Sequence, residues 1–386
     1  MLKNLLTRFE AIRNNRLMFK EVITLPIILK SAVQLNYYRM LYSGKAPDVL
    51  NIDLKVTKRC NASCSFCFTE VTKGPAEEMS LDDIKKFVRS FGKSKIAFFL
   101  TGGEPFIRAD IFEIIKIIKE QGSSCGIVTN GSVLSDNSLA KLIDCGLDNI
   151  VFSLHGIGVT NDSILKLRGT SIKVLDKISK IRKMRHKNKS EKPYIVINSV
   201  MNLATANEYK SLIREGDNAG ADTIRFSHPS FIYPHENNSH FVESKKRFGC
   251  MVKTSQYVSA KNPTTGFSTH EKGTDPVFGL INEIKGFSRK LRTNIKVCTY
   301  PNLSSSELKG WYSHKFRTSR ECYYTYSSSF INEVGEVYPC QFYQVSMGNI
   351  KENEFSEIWN NGKYKKFRNM IKKELLPGCS RCCKLF

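Results

Sequence analysis

From residue 48 onward, short apolar runs alternate with longer stretches of helical period. Residues 51–57 (NIDLKVT) alternate apolar and polar positions as a half-buried strand does. Residues 96–100 (IAFFL), 126–128, 149–154 (NIVFSL), 194–200 (YIVINSV) and 222–226 (DTIRF) are further β-branched or aromatic runs of strand length. Helical stretches lie between them near 81–91, 109–121, 135–145, 171–186 and 205–219. Strands alternating with helices predict a parallel sheet with right-handed crossovers. With six such units, the expected fold is α/β, a curved and partial (β/α)6 TIM-like barrel rather than a flat doubly wound sheet.

The ends read differently. Residues 1–47 carry eight Lys/Arg against two Glu, with Leu2, Leu5, Leu6, Phe9, Ile12, Leu17 and Phe19 near helical spacing. Arg8, Arg13 and Arg16 interrupt the apolar stretch a secretory signal would need. The segment suits a helix packed on the main domain, or a basic amphipathic helix on a membrane surface or an acidic partner. Residues 231–320 are polar and turn-rich, with two helical stretches and no motif. Residues 321–386 form a Cys-bearing tail with a hairpin-like FINEVGEVYPC and a helical SEIWNNGKYKKFRNMIKK. The expected units are therefore 1–47, 48–230, 231–320 (a linking insertion) and 321–386.

The 386 residues include 59 Lys+Arg and 36 Asp+Glu, a net charge of +23. That excludes an acidic disordered chain and predicts affinity for anions. Twelve cysteines are too dilute for a disulfide scaffold, and their clustering points to metal or catalytic use in a reducing, cytoplasmic setting. A location at the inner membrane face is compatible with the leader. No uninterrupted apolar run is long enough for a spanning helix.

Cys60, Cys64 and Cys67 form C-x3-C-x2-C directly after the first strand. Soft thiolates select zinc, copper(I) or iron–sulfur clusters. Structural zinc wants a fourth ligand nearby, but Cys125 and His155, the next Cys and His, lie elsewhere in the chain. Three thiolates on a four-iron cube leave one iron open. Thr101-Gly102-Gly103-Glu104-Pro105 follows the second strand, where glycines permit close backbone approach and Glu104 can accept from an ammonium. Thr129-Asn130-Gly131 follows the third strand, and Ser153-Leu154-His155-Gly156 closes the fourth. Asn198 and Arg225 lie on the fifth and sixth strands, where they could meet a ribose hydroxyl and a carboxylate or phosphate, or be plain rim residues. All of these fall at or near the C-terminal strand ends, where parallel barrels gather functional residues.

This set, with Phe66 before the third Cys, resembles the radical S-adenosylmethionine enzymes over roughly residues 50–230. The resemblance implies that Cys60, Cys64 and Cys67 hold a 4Fe–4S cluster whose open iron is chelated by the amino and carboxylate groups of S-adenosylmethionine. One electron then yields methionine and a 5′-deoxyadenosyl radical that abstracts hydrogen from substrate. Gly102, Gly103 and Glu104 resemble the GGEP motif that holds the methionine amino group. Asn130, Ser153, Asn198 and Phe66 are the further candidate cofactor contacts. His155 stands where the family's S-[IL]-D-G has Asp, so it is either a polar contact or a satisfied neutral histidine.

Cys322, Cys340, Cys379 and Cys382 resemble the C-x(9–15)-G-x4-C … C-x2-C arrangement of the Twitch domain, the shorter relative of SPASM. This implies one auxiliary 4Fe–4S cluster on those four residues, with Cys383 an alternative last ligand. The chain stops at Phe386, which leaves no room for a second auxiliary cluster. Four thiolates would also suit tetrahedral zinc. Cys125 and Cys145 read as core residues; Cys250 and Cys298 could be ligands or reactive thiols.

The resulting expectation is an enzyme that abstracts hydrogen and then oxidises, cross-links or rearranges its substrate, with the auxiliary cluster accepting or relaying an electron. An external donor such as flavodoxin or ferredoxin supplies the first electron. A peptide, a sugar or aminocyclitol, and a lipid are the substrate classes left open. The rival is a basic iron–sulfur or zinc protein binding nucleic acid without catalysis; the absence of an ordered basic-aromatic string argues against it.

Overall fold

A computed structural model describes residues 25–64, 66–201, 203–249, 257–258, 275–291, 294–313 and 316–385. Helix α1 (Leu25–Leu41) leads into β1 (Asn51–Thr57). Alternation then follows through α2 (Leu81–Arg89), β2 (Ala97–Gly102), α3 (Ile111–Glu120), β3 (Ser124–Thr129), α4 (Asp136–Asp144) and β4 (Asn149–Ser153). Next come α5 (Val159–Leu165), α6 (Thr170–Lys187), β5 (Tyr194–Val200), α7 (Tyr209–Ala219) and β6 (Thr223–Ser227). Strands β1 to β6 are neighbours in sequence order and all parallel. The helices start where local chemistry says they should: Ser80 and Ser135 close capping boxes with Asp83 and Ser138. Their apolar faces, such as Ile111, Ile114, Ile115 and Ile118 of α3, are buried against the strands.

The stretch without a legible motif contributes a sheet strand. It holds β7 (Phe231–Ile232), α8 (Pro234–Phe248), β8 (Tyr257–Val258), α9 (Asp275–Lys290), β9 (Lys296–Tyr300) and α10 (Ser305–Trp311). Strand β9 pairs in parallel with β6, from Thr223↔Lys296 to Ser227↔Tyr300. Its sequence KVCTY is short and half exposed, so it lacks the apolar run that marks the other strands. Cys298 lies on β9, while Cys250 falls outside the described residues.

The chain ends with α11 (Tyr324–Ser327), β10 (Ser328–Ile331), β11 (Glu336–Tyr338), β12 (Gly348–Asn349), α12 (Phe355–Trp359) and α13 (Gly362–Lys373). Strand β10 pairs in parallel with β1, from Asn51↔Ser328 to Leu54↔Ile331, and the antiparallel β11 and β12 follow. The C-terminal hairpin thus continues the barrel sheet, in the order β12-β11-β10-β1-β2-β3-β4-β5-β6-β9. This corrects the half-buried reading of β1. Ile52 to Thr57 are all buried, because the strand is paired on both edges and covered on both faces. Its polar Asp53 and Lys55 face protein rather than water.

Helix α1 packs on the tail: Arg39 Nη1 donates to Tyr323 Oη at 3.3 Å and pairs with Glu321 at 2.5 Å. That favours the packed-helix reading for this part of the leader; residues 1–24 lie outside the described residues. No described helix is long and apolar enough to cross a membrane.

Arg368 on α13 locks these parts together. It is fully buried, its Nε donating to Thr325 O at 2.7 Å, Nη1 to Gly44 O at 3.1 Å and Nη2 to Trp359 O at 2.8 Å. Its guanidinium lies 4.2 Å from the Trp359 ring centroid and 4.3 Å from that of Tyr364. Arg368→Met strands three buried carbonyls and is expected to cost on the order of 3–5 kcal/mol, read by anaerobic urea unfolding.

Candidate active site and auxiliary metal centre

Beyond β1 the chain leaves the sheet in a loop that closes on its own backbone. Cys60 N donates to Thr72 O at 2.9 Å, and Thr72 N to Lys58 O at 2.9 Å. Arg59 forks onto Glu78 at 2.8 and 2.9 Å. Within the loop, Cys67 N donates to Cys64 O at 3.2 Å, and Ser63 N reaches Leu165 O at 3.1 Å. Phe66 sets its ring edge-on to His155, with centroids 4.9 Å apart. Burial pushes the Cys64 thiol up to about 12, and the charges of Cys67 and Cys60 add to the shift. Cys60 is raised by burial and, among smaller effects, by Cys67. Cys64 therefore lies in the field of both other sulfurs, and Cys60 in that of Cys67. Thiolates at that spacing repel one another unless a cation lies between them.

The glycine pair is explained by the neighbouring chain. A Cβ on Gly102 would lie 2.4 Å from Thr57 O, and one on Gly103 would lie 2.2 Å from Arg59 O and 2.8 Å from Cys60 Cβ. The close approach is thus to the backbone that launches the cysteine loop. Gly103 N and Glu104 N donate to Thr57 O and Arg59 O at 2.9 and 2.8 Å. Glu104 is fully buried and accepts from Thr129 Oγ1 (2.8 Å), Asn130 N (2.7 Å) and Phe106 N (3.2 Å). Burial nevertheless pushes its carboxyl up to about 7 against those donors. Asn130 Nδ2 donates to Asn61 Oδ1 at 3.0 Å, tying the end of β3 to the cysteine loop.

Ser153 ends β4 in register with Asn198 on β5. His155 is buried; its Nδ1 accepts from Val200 N at 3.1 Å, and burial takes its pKa down to about 4. It is a neutral histidine held by the backbone and packed under Phe66. Asn198 Oδ1 accepts from Arg225 Nε at 2.8 Å and Ser227 Oγ at 2.6 Å. Arg225 also lies over the Tyr300 ring at 5.0 Å.

A second centre forms in the tail. Cys322, Cys340, Cys379 and Cys382 line one cavity. They come from the segment before α11, the end of β11, and the turn Pro377–Cys379 with its sequel. Burial raises all four thiols, Cys379 up to about 12, and the Cys322 charge raises Cys379 further. Cys383 does not line the cavity; its electrostatic neighbours are Lys384, Arg225, Asp53 and Tyr300. Among the described residues no three His, Cys, Asp or Glu side chains are grouped to hold a single metal ion. Four soft thiols around one cavity are a donor set that suits an iron–sulfur cluster or zinc. Cys125 is buried in the core, and Cys145 packs at its edge.

Several residues escaped the sequence reading. Asp53 Oδ2 accepts from Tyr324 Oη at 2.6 Å and Lys384 Nζ at 3.0 Å. Tyr324 and Lys384 both line the tail cavity, so β1 forms part of its support. Lys55 pairs with Glu333 at 3.0 Å and donates to Glu70 O at 3.2 Å. His240 of α8 also lines the cavity. The only sequence signal was two polar residues in a strand otherwise fit for burial.

Replacing Cys60, Cys64 and Cys67 by Ala is expected to abolish S-adenosylmethionine cleavage and to lower iron after anaerobic reconstitution from about eight to about four per chain. Gly103→Ala, which drives a methyl into Arg59 O, is expected to lose the same irons. Retention of about eight irons in either variant would contradict this geometry.

Residues 54–214 match the model of the radical SAM superfamily, and residues 322–383 match that of the SPASM iron–sulfur cluster-binding domain. The chain is 24% identical to the tungsten-containing aldehyde ferredoxin oxidoreductase cofactor-modifying protein of Pyrococcus furiosus, covering 85% of this chain and 86% of that one. It is 26% identical to the AdoMet-dependent heme synthase of Methanosarcina barkeri, covering 89% and 90%. In fold it is similar to Streptococcus suis SuiB bound to precursor peptide SuiA, with a TM-score of 0.62 at 14% identity, covering 93% and 79%. Two family matches, one on each cysteine centre, make the conclusion direct: the chain belongs to the radical SAM superfamily, as an enzyme that uses S-adenosylmethionine, a 4Fe–4S cluster and an auxiliary SPASM-type iron–sulfur centre.

Proposed function

We propose that this enzyme removes a hydrogen atom from a carboxylate- or phosphate-bearing organic substrate in the barrel and passes the electron left behind to the auxiliary centre, a net oxidation. The observation that carries this reading is the Asp53 carboxylate on β1, held by Tyr324 and Lys384 from the wall of the auxiliary cavity. Barrel interior and auxiliary centre share that contact, so an electron has a short path between them. The full-length relatives named for heme synthesis and for cofactor modification support a cofactor precursor as substrate rather than a free peptide.

In this reading Cys60, Cys64 and Cys67 hold the first cluster, and Cys322, Cys340, Cys379 and Cys382 hold the auxiliary one. Cys382 is preferred to Cys383 because only the former lines the cavity. When bound, these groups supply one-electron cleavage of the sulfonium, the hydrogen-abstracting radical and the electron acceptor. Glu104 spends three acceptor positions on protein donors and keeps capacity for an ammonium. Asn198 Oδ1 is engaged by Arg225 and Ser227, which leaves Nδ2 to meet a ribose hydroxyl. Asn130 and Ser153 stand at the ends of neighbouring strands on the same side. Arg225, oriented by Asn198 and Tyr300, anchors the substrate anion. The first electron comes from an external donor such as flavodoxin or ferredoxin.

The test is an anaerobic panel of carboxylate-bearing tetrapyrroles, phosphorylated sugars and acidic peptides, read as substrate-dependent 5′-deoxyadenosine. With the active member, Arg225→Gln is expected to lower kcat/KM roughly ten- to a hundredfold while substrate-free cleavage of S-adenosylmethionine persists. Equal turnover of neutral analogues would sink the anion-anchoring role.

A further inference from the structure

On the reading that the four tail thiols hold an iron–sulfur cluster, we propose that His240 donates its Nε2–H to a sulfur of that cluster and raises its reduction potential. His240 lies on α8, in the segment between the barrel and the tail that carries no motif of its own. It is 1% exposed and lines the same cavity as Cys322, Cys340, Cys379 and Cys382. Its Nδ1 accepts from Gly378 N at 3.1 Å, which places the proton of the neutral ring on Nε2. That Nε2 is buried and meets no hydrogen-bond partner in the structure. A buried donor left so forfeits its hydration with nothing in return. Sulfur in the cavity is the acceptor that would satisfy it.

The imidazole is held for this purpose from both sides of the Cys379–Cys382 turn. Gly378 immediately precedes Cys379, so the bond to Nδ1 fixes the ring against the turn that carries two of the thiols. One helical turn before His240, Glu236 receives Arg381 Nη1 at 2.5 Å, and Arg381 immediately precedes Cys382. Arg381 is itself fixed by Trp311 O and Ser313 O, both at 2.6 Å. The Tyr343 ring packs on the imidazole with centroids 5.5 Å apart. Four thiols already match the four irons of a cube, so His240 acts as donor rather than ligand. A hydrogen bond to sulfur favours the reduced cluster, which carries one more negative charge, and therefore moves the potential upward.

The full-length holoenzyme, reconstituted with both centres, tests this by redox titration and pulsed EPR of the auxiliary signal. His240→Leu is expected to lower the midpoint by about 59 mV, a tenfold change in the one-electron equilibrium. His240→Gln, which keeps an N–H, is expected to stay near wild type. In wild-type protein labelled with 15N-histidine, the reduced auxiliary signal is expected to show a weak nitrogen coupling and an exchangeable proton. If His240→Leu fails to load the auxiliary centre, the labelled wild type still decides: coupling supports the donor, and its absence overturns it. Unchanged midpoints in a loaded His240→Leu variant also overturn it. Wild-type protein with only about four irons per chain overturns the cluster reading itself, and the donor with it.

Discussion

A carboxylate inside a protein wall needs cations or strong donors brought to it, and Asp53 takes both of its partners from the far end of the chain. Tyr324 comes just after Cys322 and Lys384 just after Cys383, so β1 is reached from near both ends of the C-terminal cysteine set. The contact exists only because β10 lies parallel beside β1, so that residues 51–54 and 328–331 are in register. Strand β1 also launches the first cysteine loop through Thr57 and Arg59. One strand therefore fixes the positions of both sulfur centres, and the distance between them is a property of the sheet rather than of a linker.

The segment between barrel and tail takes part in the same arrangement. Strand β9 widens the parallel sheet beyond β6, which brings Tyr300 under Arg225. Helix α8 covers the tail cavity, and Arg381 locks the last turn to Glu236 and to the backbone at Trp311 and Ser313. Arg381 is buried, so its charge is balanced by Glu236 and two carbonyls instead of water. The segment thus supplies one wall of the tail cavity, through His240.

Much of the barrel was legible because parallel strands buried on both faces announce themselves as apolar runs. The strands read at 51–57, 149–154 and 194–200 fall within a residue of β1, β4 and β5. Both cysteine sets stand out in the sequence, the first as C-x3-C-x2-C and the second by the closing C-x2-C of Cys379 and Cys382. What escaped depends on residues far apart in sequence. KVCTY becomes a strand only because β6 offers an edge. Asp53 and Lys55 looked like a solvent face because polar residues in alternation normally are one. His155 could be resolved as a neutral, backbone-bound histidine only once Val200 N was placed against it. Cys382 and Cys383 are adjacent in sequence, and only the fold turns one towards the cavity and the other towards Tyr300.

The register of β1 with β10 also constrains how the molecule is made. Until residue 328 has left the ribosome, β1 has β2 on one side and an open row of amides and carbonyls on the other. Nearly three hundred residues of nascent polypeptide thus carry a strand with a sticky margin and no cover. Closure of that margin waits on residues 328–331, whatever else has folded by then.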